Sequence, residues 1–400
     1  MTIYTVALIC LILAAIWTFV VTFRLGKSKL LLRFVKNFIG VFLIFSAVVK
    51  LVDPIGFSIK LDEYFDEFSI PFLQPLSLFL SIVVLVFEFV LGVALLFNSG
   101  KKFVYHIALL LMLFFTVLTG ASAIFNVVQD CGCFGDFLKL SPWTSFAKDI
   151  VLTVLLLWLF INRKKVPSFF KSFSPNGLTL SLGTVAGLAF ALHNVFNLPV
   201  VDFRPYKEGV NIVEKMQPIK DAVYQNILTY KNKTTGETKA FINTFPENRD
   251  EWEWVKTDTK IIDEGIEAPI HDFNISMGGE DITDALLSFE KPVVLFTFTG
   301  VEKIKNRGVN AMKKLIESSN TDGTFNYAFL TAVTSPDWEK YSAENELEGD
   351  LLTIDGTTLK TIIRSNPGMI LLKEGNIVDK WHYRHFPTVG VVNEQIKHFD

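Results

Sequence analysis

Long apolar runs alternate with short polar joints up to about residue 197, and then the pattern changes. Residues 2–23 are almost unbroken apolar, which is enough helix to cross about 30 Å of hydrocarbon. Five more such runs follow at about 38–52, 76–97, 103–127, 146–161 and 178–196. The pattern predicts six membrane spans. A signal peptide would carry its basic residues ahead of the first run. Here none precedes it, and Arg24, Lys27, Lys29, Arg33 and Lys36 follow it, so the run is read as a retained span. Basic joints at 24–36, 98–102 and 162–171 alternate with acidic or mixed joints at 53–75 and 128–145. Basic joints prefer the cytoplasmic side. Six spans with both termini outside satisfy that preference at every joint, which predicts a bacterial inner-membrane protein with periplasmic termini.

Beyond the sixth run charged residues become frequent. Residues 224–230 and 238–242 read as two strands around a polar turn at 231–237, a hairpin within an outer linker. Residues 247–254 read as a surface helix or loop. From about 266 strands and helices alternate. Residues 292–298 and 325–333 form short continuous apolar runs, as buried parallel strands do. Helical spacing at 301–318, 337–347 and 358–364 separates them from a hairpin at 369–372 and 377–381, and a short helix closes the chain at 394–399. That order is thioredoxin-like.

Composition narrows the function. The 400 residues suggest two or three domains. A formal charge of −3 carries no nucleic-acid footprint, and the partners expected are the lipid bilayer and an envelope or periplasmic protein. Three cysteines cannot staple a disulfide scaffold. Two of them, Cys131 and Cys133, stand one glycine apart in the outer joint after the fourth run. Thiols so spaced can close a small strained ring, more oxidising than a relaxed disulfide. They can pass oxidising equivalents to a substrate or electrons to a membrane quinone. Flanking acids Asp130 and Asp136 disfavour the reactive thiolate and slow attack without preventing it. Three other readings stand beside redox work: a disulfide that stiffens the joint, a pair of inert thiols, and a metal site. A closed zinc site lacks ligands, since His106 falls on the opposite side of the membrane.

Glu88 lies midway along the third run, where a carboxylate faces the bundle interior or a cavity, as a proton acceptor or as one half of a structural pair. Lys50 and Asp53 lie at the outer end of the second run, Lys148 and Asp149 at the outer start of the fifth. They are expected to pair with each other or across. A lysine near the thiols favours the thiolate; snorkelling to the interface is the plainer alternative. His193 is read as an interfacial polar residue, Cys10 as packing, and His382 and His385 as solvated.

Two resemblances sharpen this. Phe38 to Pro54, Glu88-Phe-Val-Leu-Gly92 and Asp130-Cys-Gly-Cys-Phe-Gly135 resemble the MauE/DoxX family of redox-associated membrane proteins. The resemblance implies a four-helix membrane core and thiol–disulfide or sulfur redox chemistry outside the cytoplasmic membrane. Glu267-Ala-Pro-Ile-His-Asp-Phe273 resembles the entrance of thioredoxin-like domains, and Asn366-Pro367 stands where that fold keeps a cis-proline. The expected Cys-x-x-Cys after the first buried strand is missing, and no cysteine follows Cys133. The implied organisation is an extra span over 1–30, the four-helix core over 31–165, a sixth span over 166–200, a linker over 201–265 and a thioredoxin-like domain without redox cysteines over 266–400. The expected function is thiol–disulfide redox work at Cys131 and Cys133, with a quinone as candidate acceptor and the outer domain binding a partner. The alternative is a non-catalytic scaffold of an envelope assembly or secretion complex. Oxidation of small sulfur compounds is a third reading.

Overall fold

The computed structural model describes residues 2–25, 29–99, 101–126, 128, 132–166, 173–301, 304 and 306–399. The chain divides into two compact units, Met1–Arg204 with Ile363–Ser365, and Pro205–Ile362 with Asn366–Asp400.

Unit one is helical: α1 (Ile3–Leu25), α2 (Leu30–Leu51), α3 (Pro54–Glu67), α4 (Ser77–Phe97), α5 (Lys101–Phe125), α6 (Pro142–Asn162) and α7 (Phe173–Phe196). Among the described residues six helices, all of these but α3, are long and apolar enough to cross a membrane. Their outward faces carry exposed Phe79, Leu110, Val117, Val154 and Val185, a surface stable in lipid and not in water. The chain is a membrane protein.

α2 starts at Leu30, earlier than its apolar pattern predicts, and takes in Arg33, Lys36 and Asn37 as buried residues. Bonds inside the bundle make this tolerable. Lys36 Nζ donates to the carbonyls of Leu95 at 2.6 Å and Leu96 at 2.5 Å. Those groups end α4, where a cation offsets unpaired carbonyls and the helix dipole. Asn37 Nδ2 donates to Thr18 Oγ1 of α1 at 2.8 Å. Arg33 and Lys36 are therefore part of the bundle interior and not of the joint. α2 and α4 run antiparallel in close contact. A Cβ built on Gly40 would meet the Gly92 carbonyl at 3.1 Å, and one on Gly92 would meet that of Gly40 at 2.9 Å, so the small residues permit the approach.

The acidic joint 53–75 is a further departure: it contains α3. Pro54 takes the first helical position and Asp53 caps it, its side chain accepting from the Gly56 N–H at 2.8 Å.

Unit two holds two sheets. After the short α8 (Ile212–Lys215), β1 (Val223–Asn232), β2 (Thr238–Ile242) and β3 (Trp252–Asp263) form an antiparallel sheet in the order β2-β1-β3. The hairpin falls where the sequence predicts it. The predicted helix or loop at 247–254 is observed up to Glu251, with a single helical turn at Arg249–Glu251, and β3 takes over from Trp252; nearly all its residues are exposed, so no apolar alternation marks it.

The second sheet uses β4 (Ser276–Met277), β5 (Glu280–Asp281), β6 (Val293–Phe298), β7 (Asn326–Thr331), β8 (Asp350–Thr353), β9 (Gly368–Lys373) and β10 (Asn376–His382). Its helices are α9 (Thr283–Leu287), α10 (Asn306–Asp322), α11 (Ser335–Glu344), α12 (Gly356–Ile362) and α13 (Val389–Phe399). The order is β10-β9-β6-β7-β8-β4-β5, with β6, β7 and β8 parallel and β9 and β10 antiparallel. β6 is buried along its whole length. Phe296, Phe298 and Phe329 pack with Met312 and Trp338 in the core between sheet and helices. The Asn366–Pro367 bond is cis. A parallel β-α-β unit followed by an antiparallel hairpin is the thioredoxin-like arrangement, so the predicted fold class, six spans plus an α/β thioredoxin-like domain, is the one observed.

Candidate functional site

The cysteine loop is shaped by two glycines and one phenylalanine. Gly132 and Gly135 have φ of 64° and 53°, a region open to glycine at little cost. The Gly135 N–H closes the turn onto the Gly132 carbonyl at 3.1 Å. Phe134, between them, is fully buried and meets the rings of Phe42 and Phe45 on α2 at centroid distances of 5.8 and 6.2 Å. Ser46 Oγ, also on α2, donates to the Cys133 carbonyl at 3.1 Å. A ring peg and a backbone bond thus hold Cys133 against α2. Asp136 follows in a single half-buried turn, Gly135–Phe137. Asp130 and Cys131 lie outside the described residues.

Cys133 lines a cavity of about 370 Å³ inside unit one. α2, α3, α4, α5 and α6 all contribute walls, and most of the lining is apolar, with Phe42, Phe57, Leu61, Phe115 and Leu118 prominent. Ser46, Lys60, Tyr64 and Thr119 are among the polar lining residues, and the buried charges come in two pairs. Lys50 Nζ on α2 lies 2.5 Å from Glu88 Oε2 on α4, and the two residues are 4% and 2% exposed. The same ammonium sits 5.4 Å from the Phe57 ring and 5.8 Å from that of Phe115, contacts that suit a cation with little water. On α6, Lys148 pairs with its neighbour Asp149. Thr119 Oγ1 of α5 donates to Asp149 Oδ2 at 3.0 Å, and Lys148 Nζ lies 5.8 Å from the Phe134 ring. Each buried charge therefore has an opposite charge beside it, which is what burial requires. Both ammonium groups can donate to an acceptor in the cavity.

The structure thus places Lys50, Glu88, Cys133, Lys148 and Asp149 around one space. The pairing differs from the expected one: Lys50 bonds Glu88, while Asp53 caps α3. His193 is exposed beside Asn197 at the end of α7, away from the cavity, and Cys10 is buried packing on α1. Pro367 belongs to unit two. In that unit His382 is 4% exposed, not solvated as expected, because it ends β10 facing inward; His385 is exposed. Sequence reasoning missed Ser46, Thr119 and Lys60. The first two are single hydroxyls in apolar helices and gave no signal. Lys60, bonded to Glu63 at 2.8 Å, joins the lining through α3. Its signal was the helical spacing of Phe57, Leu61, Tyr64, Phe65 and Phe68.

Residues 28–162 match the family model described as methylamine utilisation protein MauE. Protein TlpB of Flavobacterium psychrophilum is 26% identical over 163 residues, 39% of this chain and 43% of that protein. The chain thus spans less than half of that relative's length. Among solved structures, one assigned as a protein disulfide isomerase of Bacteroides thetaiotaomicron is 16% identical, with a TM-score of 0.26, over 32% of this chain and 84% of that one. The thioredoxin domain of a thiol-disulfide oxidoreductase from Bacteroides vulgatus is 17% identical, with a TM-score of 0.24, over 31% and 92%. The class defined is a membrane protein with a thioredoxin-like domain, similar over residues 28–162 to the MauE family.

Proposed function

We propose that this protein carries out thiol–disulfide exchange at Cys131 and Cys133, on the outer face of a bacterial inner membrane, with both termini outside. One observation carries the reading: Cys133 is fixed at the wall of a largely apolar cavity that also holds the buried pairs Lys50–Glu88 and Lys148–Asp149. Cys133 thus shares one space with two lysines, each paired to a carboxylate, and that shared space supports the reading. In the oxidising direction, a partner thiolate attacks the Cys131–Cys133 disulfide. One S–S bond breaks, a mixed disulfide forms, and the partner's second thiol resolves it. The partner leaves oxidised and the pair stays as two thiols. Unit two has no cysteine, so its part is to bind and orient the partner.

The scaffold reading has its own support, the missing Cys-x-x-Cys after β6. Thiol labelling of the loop in intact cells, with and without reductant, separates the two. A redox protein shows a pair that reduces readily and re-forms, and loses function in the Cys131→Ser/Cys133→Ser variant. A scaffold keeps its function in that variant. A pair that stays locked under mild reductant excludes the exchange.

A further inference from the structure

We propose that this protein pairs with a second copy of itself through the free edge of β3, an inference independent of the redox reading above. β3 is the outer strand of the β2-β1-β3 sheet, and among the described residues no strand covers its far edge. Every residue from Glu253 to Ile262 is exposed. A long strand with open backbone donors and acceptors is a template for another strand. Trp254 and Ile261 are 58% and 55% exposed, and apolar groups left open together on a small sheet mark an interaction surface.

The pairing of β3 with β1 sorts its side chains onto two faces. Glu253, Lys256, Asp258 and Lys260 stand opposite Lys231, Thr229, Ile227 and Gln225, alternate residues of β1, and so share one face. Trp252, Trp254, Thr257, Thr259 and Ile261 take the other face, and a register shift leaves Val255 as the extra residue of a bulge. The charged face therefore reads minus, plus, minus, plus. Lysines on an edge usually deter pairing, but this order is complementary to its own reverse. In an antiparallel pair with its twofold axis at Thr257, Glu253 faces Lys260 of the second copy and Lys256 faces its Asp258, each contact being made twice. Lys256 Nζ lies 2.7 Å from Asp258 Oδ2 within the strand, both side chains being open to solvent, so the axis joins two such pairs into one network. On the other face Trp254 meets Thr259 and Trp252 meets Ile261. An axis at Lys256 sets that lysine against itself and Glu253 against Asp258. An axis at Asp258 sets that acid against itself and Lys256 against Lys260. The charges thus select one register. Asp263, the remaining acid of β3, is engaged by Lys220.

The test uses the full chain in detergent micelles, by sedimentation at several concentrations and by energy transfer between two separately labelled populations. Expected is a reversible dimer. Lys256→Asp and Asp258→Lys each set like charges opposite one another twice, and each should weaken the dimer roughly 30-fold. Mixed together, the two variants are complementary and should form a heterodimer, which neither a folding defect nor a contact elsewhere can produce. In a background without the loop thiols, Cys131→Ser/Cys133→Ser, mild oxidation should cross-link Thr257→Cys to its twin, since opposed residues lie about 4.5–5.5 Å apart. Lys260→Cys, about 20 Å from its own twin in this register, should stay uncross-linked. A chain that is monomeric at every concentration, or a dimer indifferent to the charge swaps and to their mixture, overturns the proposal. Protection of β3 amides from hydrogen exchange only on adding carboxymethylated α-lactalbumin would assign the edge to an unfolded chain and overturn it as well.

Discussion

The pair Lys50–Glu88 allows a quantitative test of how dry the cavity wall is. Both side chains are almost fully buried, and their contact is 2.5 Å. Removing one partner leaves an isolated charge in an apolar wall, which costs about 3–5 kcal/mol. Lys50→Met and Glu88→Leu should each lower stability by that amount. The double variant replaces the pair by apolar groups of similar size, and such exchanges are often neutral. It should therefore recover to within about 1–2 kcal/mol of the unsubstituted chain. The coupling energy would then be several kcal/mol, far beyond the roughly 1 kcal/mol limit of an exposed pair. SDS-induced unfolding of the four proteins in mixed micelles, followed by tryptophan fluorescence, measures the cycle. Single variants costing less than about 1 kcal/mol, or additive effects in the double variant, would mean that water reaches Lys50. The cavity would then not be the dry, low-dielectric space that the buried pair implies.

Three further outcomes follow from geometry. Phe134→Ala removes a fully buried ring and should cost about 3–5 kcal/mol; if the ring is the peg of the cysteine loop, maleimide labelling of Cys133 in the folded protein should also accelerate, and an unchanged labelling rate would contradict that. Gly132→Ala forces a side chain into φ of 64° and should cost about 1 kcal/mol, read as a lowered unfolding midpoint. In unit two, burial, then the charges of Arg384 and His385, lower the His382 pKa from 6.5 to about 4. The unfolded chain therefore takes up this proton first, and stability is lost as pH falls from 6.5 towards 4, by up to about 3 kcal/mol. Asp379 acts in the opposite sense: burial raises it from 3.8 to about 6, so its contribution is present at low pH and lost as pH rises through 6, by about 1 kcal/mol after allowance for its partial exposure. Thermal unfolding of the full chain at pH 7.5 and 4.5 should show a net acid loss that shrinks in His382→Gln and grows in Asp379→Asn; parallel pH profiles in all three would refute the assignment.

The spans were legible because a bilayer imposes one rule along a whole helix, and twenty consecutive apolar residues satisfy little else. The thioredoxin-like strands were legible for a related reason: β6 and β7 are buried on both faces and therefore read as continuous apolar runs. What escaped notice follows mixed rules. α3 carries Asp62, Glu63, Asp66 and Glu67 on one side and the cavity wall on the other, so its acidic content looked like a joint although the Asp53-Pro54 start was in plain view. β3 lacks a buried face, and β8 has only four residues. The start of α2 was hidden because Lys36 is bonded to carbonyls distant in sequence. Hydropathy counts the charge and cannot count its partner.

The same limit governs the candidate site, and it says something about where chemistry resides. Read singly, Lys50, Lys148 and Asp149 looked like interfacial residues or local pairs, and Glu88 like an interior carboxylate without a named partner. Only the packing of α2, α4 and α6 turns them into the polar wall of one cavity. Buried ion pairs are weak contributors to stability, and apolar replacements usually serve a fold as well or better. Two of them around one space, with Cys133 on its wall, are poorly explained by folding alone. Unit two shows the opposite economy at the place where a dithiol fold keeps its cysteines. There the Thr299 N–H donates to Asn366 Oδ1 at 3.3 Å, and Asn366 Nδ2 donates to the Gly300 carbonyl at 2.7 Å. Thr299 and Gly300, just after β6, are thus bonded by the chain's own side chain. The buried charge pairs lie in unit one, around the cavity of Cys133, and that asymmetry supports the proposal of exchange chemistry in the membrane unit with recognition left to the thioredoxin-like one.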